Sequence, residues 1–440
     1  MDQASLSPSA QEAVTPPTPP HEHEADPLFL SAAIALSFGA LAAVRLTIPS
    51  APYFDEVHYI PAAKDLLAGG IYRNQEHPLL AKELIALAIA AFGDTPLGWR
   101  LAPLIAGTVA IFASMRALWF ASESRFASLT FGLLLASGFH LFVQSRIAML
   151  DIFMVGFLAI AAWQFAAAIK EPEKGRLRLA MTGVALGCAL ASKWNAIPLA
   201  VLPGLAFLVA RIAADRRRPI ASTRGIPVPG ISLWEAGIWL AILPLVIYLA
   251  TFLPAWNLEQ SPLPSLGIFG MQEYMLSLQT QVLKSHPYES TLSEWVLNWR
   301  AIWYLYEDVD GAQRGIMMIG NPVTMLLGLP ALIWCAVSGI SQRNWLRLAI
   351  AAGYLASIGL WLVADKSVQF YYHYVLPGCF LLAALSLSLQ ALWNHGRKLL
   401  AAGVIALSLA IFAWFYPILS AAPLEDRSSF AKWTWIESWR

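Results

Sequence analysis

Long apolar stretches, each nearly free of charge, recur along the whole chain. A helix rises 1.5 Å per residue, so about 20 apolar residues cross the hydrocarbon core of a bilayer. Eleven stretches meet that length or approach it: 28–48, 97–119, 126–144, 149–169, 179–192, 196–213, 233–253, 321–340, 347–364, 369–390 and 399–418. Composition agrees. Hydrophobic residues make up 58% of the 440 and charged residues 13%, against about 45–50% and 25% in soluble domains. A cytosolic enzyme, a coiled coil, a disordered chain and a disulfide scaffold are excluded. An all-α polytopic membrane protein is expected.

Twenty-nine Lys and Arg nearly cancel 28 Asp and Glu, so net charge suggests no nucleic-acid partner. Cys188, Cys335 and Cys379 lie inside apolar runs and read as small buried hydrophobes. Residues 1–27 are rich in Pro and acid and lack Lys and Arg, which reads as a disordered cytoplasmic tail. The His21–Glu24 run reads as part of that solvated tail. The tail lacks the basic start of a secretory signal, and 28–48 is long enough to stay as a span.

Orientation follows from the loops. With the N-terminus inside, short inner loops collect Arg116, Arg125, Lys170, Lys174, Arg176, Arg178, Arg211, Arg216, Arg217, Arg218, Arg224, Arg343, Arg347, Arg397 and Lys398, more than half of the basic residues. The positive-inside rule then places two long segments outside, 49–96 and 254–320, with an outer tail at 419–440. The expected organisation is a catalytic transmembrane module at 28–253 that carries outer loop 49–96. The outer loop 254–320 and a four-span module at 321–440 follow. Stretches 57–68, 79–92 and 271–284 read as amphipathic helices along the outer interface.

The polar chemistry gathers at that outer face. Asp55 and Glu56 follow the first span directly, where burial raises a carboxyl pKa toward a base's range; a solvated pair at a helix start is the plainer reading. His77 and Lys82 in the first outer segment, and Arg100, Arg146, Asp151 and Lys193 at span ends, lie on the same side. Singly, each basic residue among them is an interface anchor. Together they form a basic ring suited to a lipid-linked phosphate. The second outer segment holds His286-Pro287-Tyr288-Glu289-Ser290 and a dense aromatic stretch, Trp295 to Tyr306, which reads as an interfacial belt. Asp308-Val309-Asp310 reads as a solvated loop. No phosphate-binding loop, dinucleotide fingerprint or zinc-protease motif is present.

Seven blocks, in order, resemble the protein O-mannosyltransferases, the dolichyl-phosphate-mannose–protein mannosyltransferases of glycosyltransferase family 39, in a bacterial form. They are Asp55-Glu56-Val57-His58-Tyr59, His77-Pro78-Leu79-Leu80-Ala81-Lys82, Arg146 to Asp151, Ser192-Lys193-Trp194, His286 to Ser290, Gly320-Asn321-Pro322 and Tyr371 to Pro377. The resemblance runs from about residue 45 to the end. It implies a GT-C glycosyltransferase fold with about 11 transmembrane helices and two long outer loops. It also implies inverting transfer of mannose from a polyprenyl-phosphate carrier to Ser or Thr hydroxyls of proteins. Asp55 and Glu56 match the family's acidic pair. Lys193 and His286 match positions near the carrier phosphate, and Arg100 matches a basic residue near the site. Two departures stand out: 254–320 leaves no room for the MIR repeats of many eukaryotic members, and Leu79 replaces the second Pro of the usual His-Pro-Pro.

The expected chemistry puts a carboxylate on the acceptor hydroxyl and cations on the departing phosphate. Asp55 is taken as the base and Glu56 as an orienting group, with the two roles interchangeable on sequence alone. Lys193 and His286 lead as phosphate ligands, Arg146 and Lys82 come next, and His77 and Asp151 complete the substrate-binding set. No metal or cofactor is expected beyond the lipid-linked donor. The expected partners are that donor, an acceptor protein, membrane lipid and, by the resemblance, a second copy in a homodimer. The bacterial inner membrane is the expected location. Two alternatives remain: the same fold with a lipid or glycan acceptor, like the aminoarabinose transferases, and a lipid-carrier transporter. Spans almost without charge argue against the transporter.

Overall fold

A computed structural model describes residues 24–215, 220–282, 284–364 and 366–440. Most of the tail expected at 1–27, and Arg216 to Arg218 of the inner basic set, lie outside the described residues.

Among the described residues, eight helices are long and apolar enough to cross a membrane: Pro96–Ser122, Asp151–Lys170, Trp194–Ala214, Leu233–Asn257, Pro322–Ser341, Trp345–Val363, Tyr371–Asn394 and Lys398–Leu419. The other three expected spans exist as helices but fall short of that measure. Helix Leu28–Ala43 stops before the expected residue 48. There Arg45 takes a left-handed φ of 58° and hydrogen-bonds Ser420, which turns the chain away. The expected 126–144 span is two helices, Arg125–Ser137 and His140–Gln144. Phe139 breaks them with φ 74°. Asn321 satisfies the groups freed at the break: its backbone N–H reaches the Gly138 carbonyl at 3.2 Å and its side chain reaches the Ser137 carbonyl at 2.8 Å. The third, Gly175–Ser192, has 18 residues and carries Arg176 and Arg178.

The helices pack around one continuous apolar core, in which Asp151–Lys170 lies between Pro96–Ser122 and Gly175–Ser192. A smaller core joins the two outer segments, with Tyr72, Leu79, Tyr248, Phe252, Leu263 and Met271 at its centre. The interfacial stretches fold as Glu56–Ala68, Leu80–Phe92 and Leu263–Gln279, the last with a break at Gly267 (φ 67°).

The fold is mostly helical, as expected, with one short β element in the second outer segment. The aromatic stretch read as an interfacial belt is a β-hairpin, β1 (Ile302–Val309) and β2 (Ala312–Met318), paired antiparallel. Asp310 (φ 50°) and Gly311 (φ 77°) form its two-residue turn. Two consecutive left-handed residues match the right-handed twist of the strands, and Asp-Gly is the pair that tolerates them. Ile302 to Leu305 are buried, so the aromatic rings fill the core at the outer end of the bundle. The expected Asp308–Asp310 loop is therefore the hairpin tip. Asp308 pairs with Arg427 at 2.7 Å, and Asp310 accepts from the Ser50 backbone N–H at 2.7 Å.

Candidate active site

Chain direction brings the starts of two helices and the loops before and after others to one end of the bundle. Asp55 directly precedes helix Glu56–Ala68, and Asp151 begins its own helix. Lys193 follows the end of Gly175–Ser192 in extended backbone. Tyr372 opens the Tyr371–Asn394 span. The open grooves near Arg176 and near Arg343 to His395 lie at the other end and contain none of these residues.

The two adjacent acids have opposite surroundings. Glu56 is fully buried and accepts four hydrogen bonds. Arg100 grips it with Nε and Nη2, each at 2.8 Å, while the backbone N–H groups of Ala148 (2.9 Å) and Tyr53 (3.3 Å) donate to its two oxygens. Asp55 is half-buried and its carboxylate makes no hydrogen bond with the described residues. Its pKa is raised, chiefly by desolvation, with Lys193 pulling it back and Asp151 pushing it further up. Phe54 holds the carboxylate's position. It takes φ 50°, stacks on Tyr304 with ring centres 4.1 Å apart, and meets Tyr372 edge-on. A left-handed backbone at a bulky residue persists only where packing enforces it.

Lys193 forms an ion pair with Asp151 at 2.7 Å, with side chains 4% and 0% exposed. The other Asp151 oxygen is buried and has no hydrogen-bond partner among the described residues. The Lys193 ammonium also lies 5.2 Å from the centre of the Tyr372 ring.

The remaining expected ligands divide sharply. All five N–H groups of Arg100 are occupied, two by Glu56 and three by the carbonyls of Leu46, Pro49 and Ala51. Arg146 donates to the carbonyls of Ala42, Val44, Arg45 and Ser420. Lys82 is buried, and its three donors meet the carbonyls of Arg73, Asn74 and His77. Burial pushes Lys82 down to about 7, against the opposing pull of Glu76 and Glu83. These three cations, expected at substrate, clamp backbone. His77 is buried beside Gln279 (3.2 Å), and desolvation, with Lys193 and Lys366 adding, holds it neutral, well below its ordinary value. His286 is exposed at the rim; its ring lies 5.2 Å from that of Phe370, which in turn stacks on Tyr372. Among the described residues no three His, Cys, Asp or Glu are grouped to hold a metal ion.

Two family models match the sequence. One, dolichyl-phosphate-mannose-protein mannosyltransferase, covers residues 92–258. The other, the C-terminal four-span region of protein O-mannosyltransferase, covers 267–439. The chain belongs to the protein O-mannosyltransferase family. Two curated relatives are each named polyprenol-phosphate-mannose–protein mannosyltransferase. That of Mycolicibacterium smegmatis is 27% identical over 459 residues, 88% of each chain. That of Corynebacterium glutamicum is 28% identical over 480 residues, 90% of this chain and 89% of the relative. Among solved structures, the Saccharomyces cerevisiae protein O-mannosyltransferase Pmt1-Pmt2 complex, bound to the sugar donor, superposes with a TM-score of 0.80. That match has 14% identity and covers 94% of this chain and 93% of the other. The fold is therefore that of the GT-C glycosyltransferases.

In this mannosyltransferase, sequence reasoning missed three residues at the site. Lys366 sits in the short loop before Tyr371–Asn394 and acts electrostatically on Lys193, Asp151 and Asp55. Tyr304 and Tyr372 flank Phe54. A lysine at an outer span end was a readable signal for Lys366. Nothing local marked Tyr304, because its role depends on the hairpin.

Proposed function

We propose that this chain transfers mannose from a polyprenyl-phosphate carrier to Ser or Thr hydroxyls of proteins, with Asp55 as the base. The mannosyl C1–phosphate bond breaks, a C1–oxygen bond to the acceptor forms on the opposite face, and the hydroxyl proton passes to Asp55. The observation that carries this assignment is the contrast at the acidic pair. Glu56 has no lone pair left for a proton, whereas Asp55 makes no side-chain hydrogen bond with the described residues and lies within electrostatic reach of Lys193, Asp151 and Lys366. Desolvation makes Asp55 a stronger base than a free carboxylate. The names of the relatives support mannose and a protein acceptor.

The site faces the outer side of the bacterial inner membrane in this reading. Supporting this, Arg116, Lys170 and Arg176 gather at the opposite end, where they pair with Asp26, Glu123 and Glu235.

Transfer from polyprenyl-phosphate-mannose to a Ser/Thr-rich peptide, measured in membranes holding equal amounts of wild type and Asp55→Asn, tests the assignment. Loss of a general base costs about 10²–10⁴-fold. Equal transfer by the two forms removes Asp55 from the chemistry.

A further inference from the structure

Transfer changes the charge of the carrier. The mannosyl phosphodiester carries one negative charge, and the departing polyprenyl phosphate, a monoester, gains a second as the bond breaks. The group that meets it should be a cation whose charge is not already matched by the protein.

Most cations near the site are matched or occupied. Lys193 is neutralised by Asp151 at 2.7 Å. Lys82, Arg100 and Arg146 donate to carbonyls and to Glu56. His77 is buried and uncharged, and His286 stands exposed at the rim. Lys366 differs. It is half-buried and forms no ion pair or side-chain hydrogen bond with the described residues. Its loop is fastened in place: the Ser290 N–H donates to the Gln369 carbonyl at 2.8 Å, and Ser367 Oγ donates to the Gln281 carbonyl at 3.1 Å. Lys366 is within electrostatic reach of Asp55 at the start of the first outer helix and of Glu76 and His77 in the following loop. The same reach takes in Asp151, Lys193 and His373.

Resting on the function proposed above, we propose that Lys366 is the catalytic cation that contacts the carrier phosphate and stabilises the charge it gains on leaving. The cluster then holds two unmatched ions with complementary tasks, Asp55 toward the acceptor and Lys366 toward the leaving group. Phosphate charge is drawn to Lys366 because the neighbouring ammonium of Lys193 is already shared with Asp151.

The test compares wild type, K366Q and K366R in the peptide-transfer assay across pH, as kcat and KM for polyprenyl-phosphate-mannose. Loss of one preorganised donor costs about 10²–10³-fold, so K366Q should lose that much in kcat/KM, mostly in kcat. Desolvation lowers Lys366 to about 8. The protonated form is the active one, so wild-type kcat/KM should fall as pH rises through about 8. Arginine keeps its proton above pH 12 or so, so K366R should retain activity and lose that alkaline limb. This shift survives as a test even if K366Q fails to accumulate. K366Q transferring within about threefold of wild type, or K366R keeping the wild-type limb, overturns the role of Lys366 while wild-type transfer upholds the broader function. Absence of transfer by wild type overturns both.

Discussion

Asp55 and Glu56 are neighbours with opposite tasks, and substitutions should separate them. Glu56→Gln leaves Arg100 with an unmatched charge in a dry site. Breaking a buried pair in this way costs about 3–5 kcal/mol, so a lower unfolding temperature and less protein in membranes are expected. Asp55→Asn removes no side-chain hydrogen bond to the described residues and should unfold like wild type while losing transfer. The two profiles coinciding would contradict the division of roles. The raised pKa of Asp55 also fixes a sign: the base works deprotonated, so transfer falls as pH drops through a value above the ordinary aspartate range. A kcat/KM profile with an acid limb at or below pH 4 would contradict that. The sequence showed both acids at the right depth. It could not rank them, because the rank rests on Arg100, Ala148 and the Tyr53 backbone, brought together by the fold. The same limit applied to Arg146 and Lys82. Their charge was visible, but the carbonyls that hold them were not.

At the level of elements, apolar length located the eight long apolar helices among the described residues, and tertiary contacts decided where two of the shorter ones ended. The early stop at Ala43 and the break at Phe139 come from tertiary partners, Ser420 and Asn321, that no local pattern reveals. The hairpin was partly legible. Asp310-Gly311 between aromatic runs is a turn signal, yet the dense aromatic residues also fitted a membrane belt. Gly311 holds φ 77°, so Gly311→Val should destabilise by about 1–2 kcal/mol. The loss should appear in the unfolding midpoint, and an unchanged midpoint would mean the turn does not pin the hairpin. Because Tyr304 lies under Phe54, the same variant should also slow transfer.

Across the whole molecule, the distribution of charge carried more information than any single block. Almost charge-free spans and a one-sided collection of Lys and Arg gave the membrane class and the sidedness expected for the site. Sidedness has a direct check. Ser285→Cys should react with an impermeant thiol reagent added from outside, and Arg176→Cys should react only after the membrane is opened; the reverse pattern would invert the topology. Arg45 and Arg146 both hold Ser420, so the exit of the first helix is fastened to the exit of Lys398–Leu419. During synthesis these two places appear at opposite ends of the timetable. Asp55, Asp151, Lys193 and Lys366 have all been translated before Ser420 arrives, yet the turn leading into Asp55 gains its Ser420 anchor only then. The nascent enzyme should therefore stay silent until its last helix has inserted.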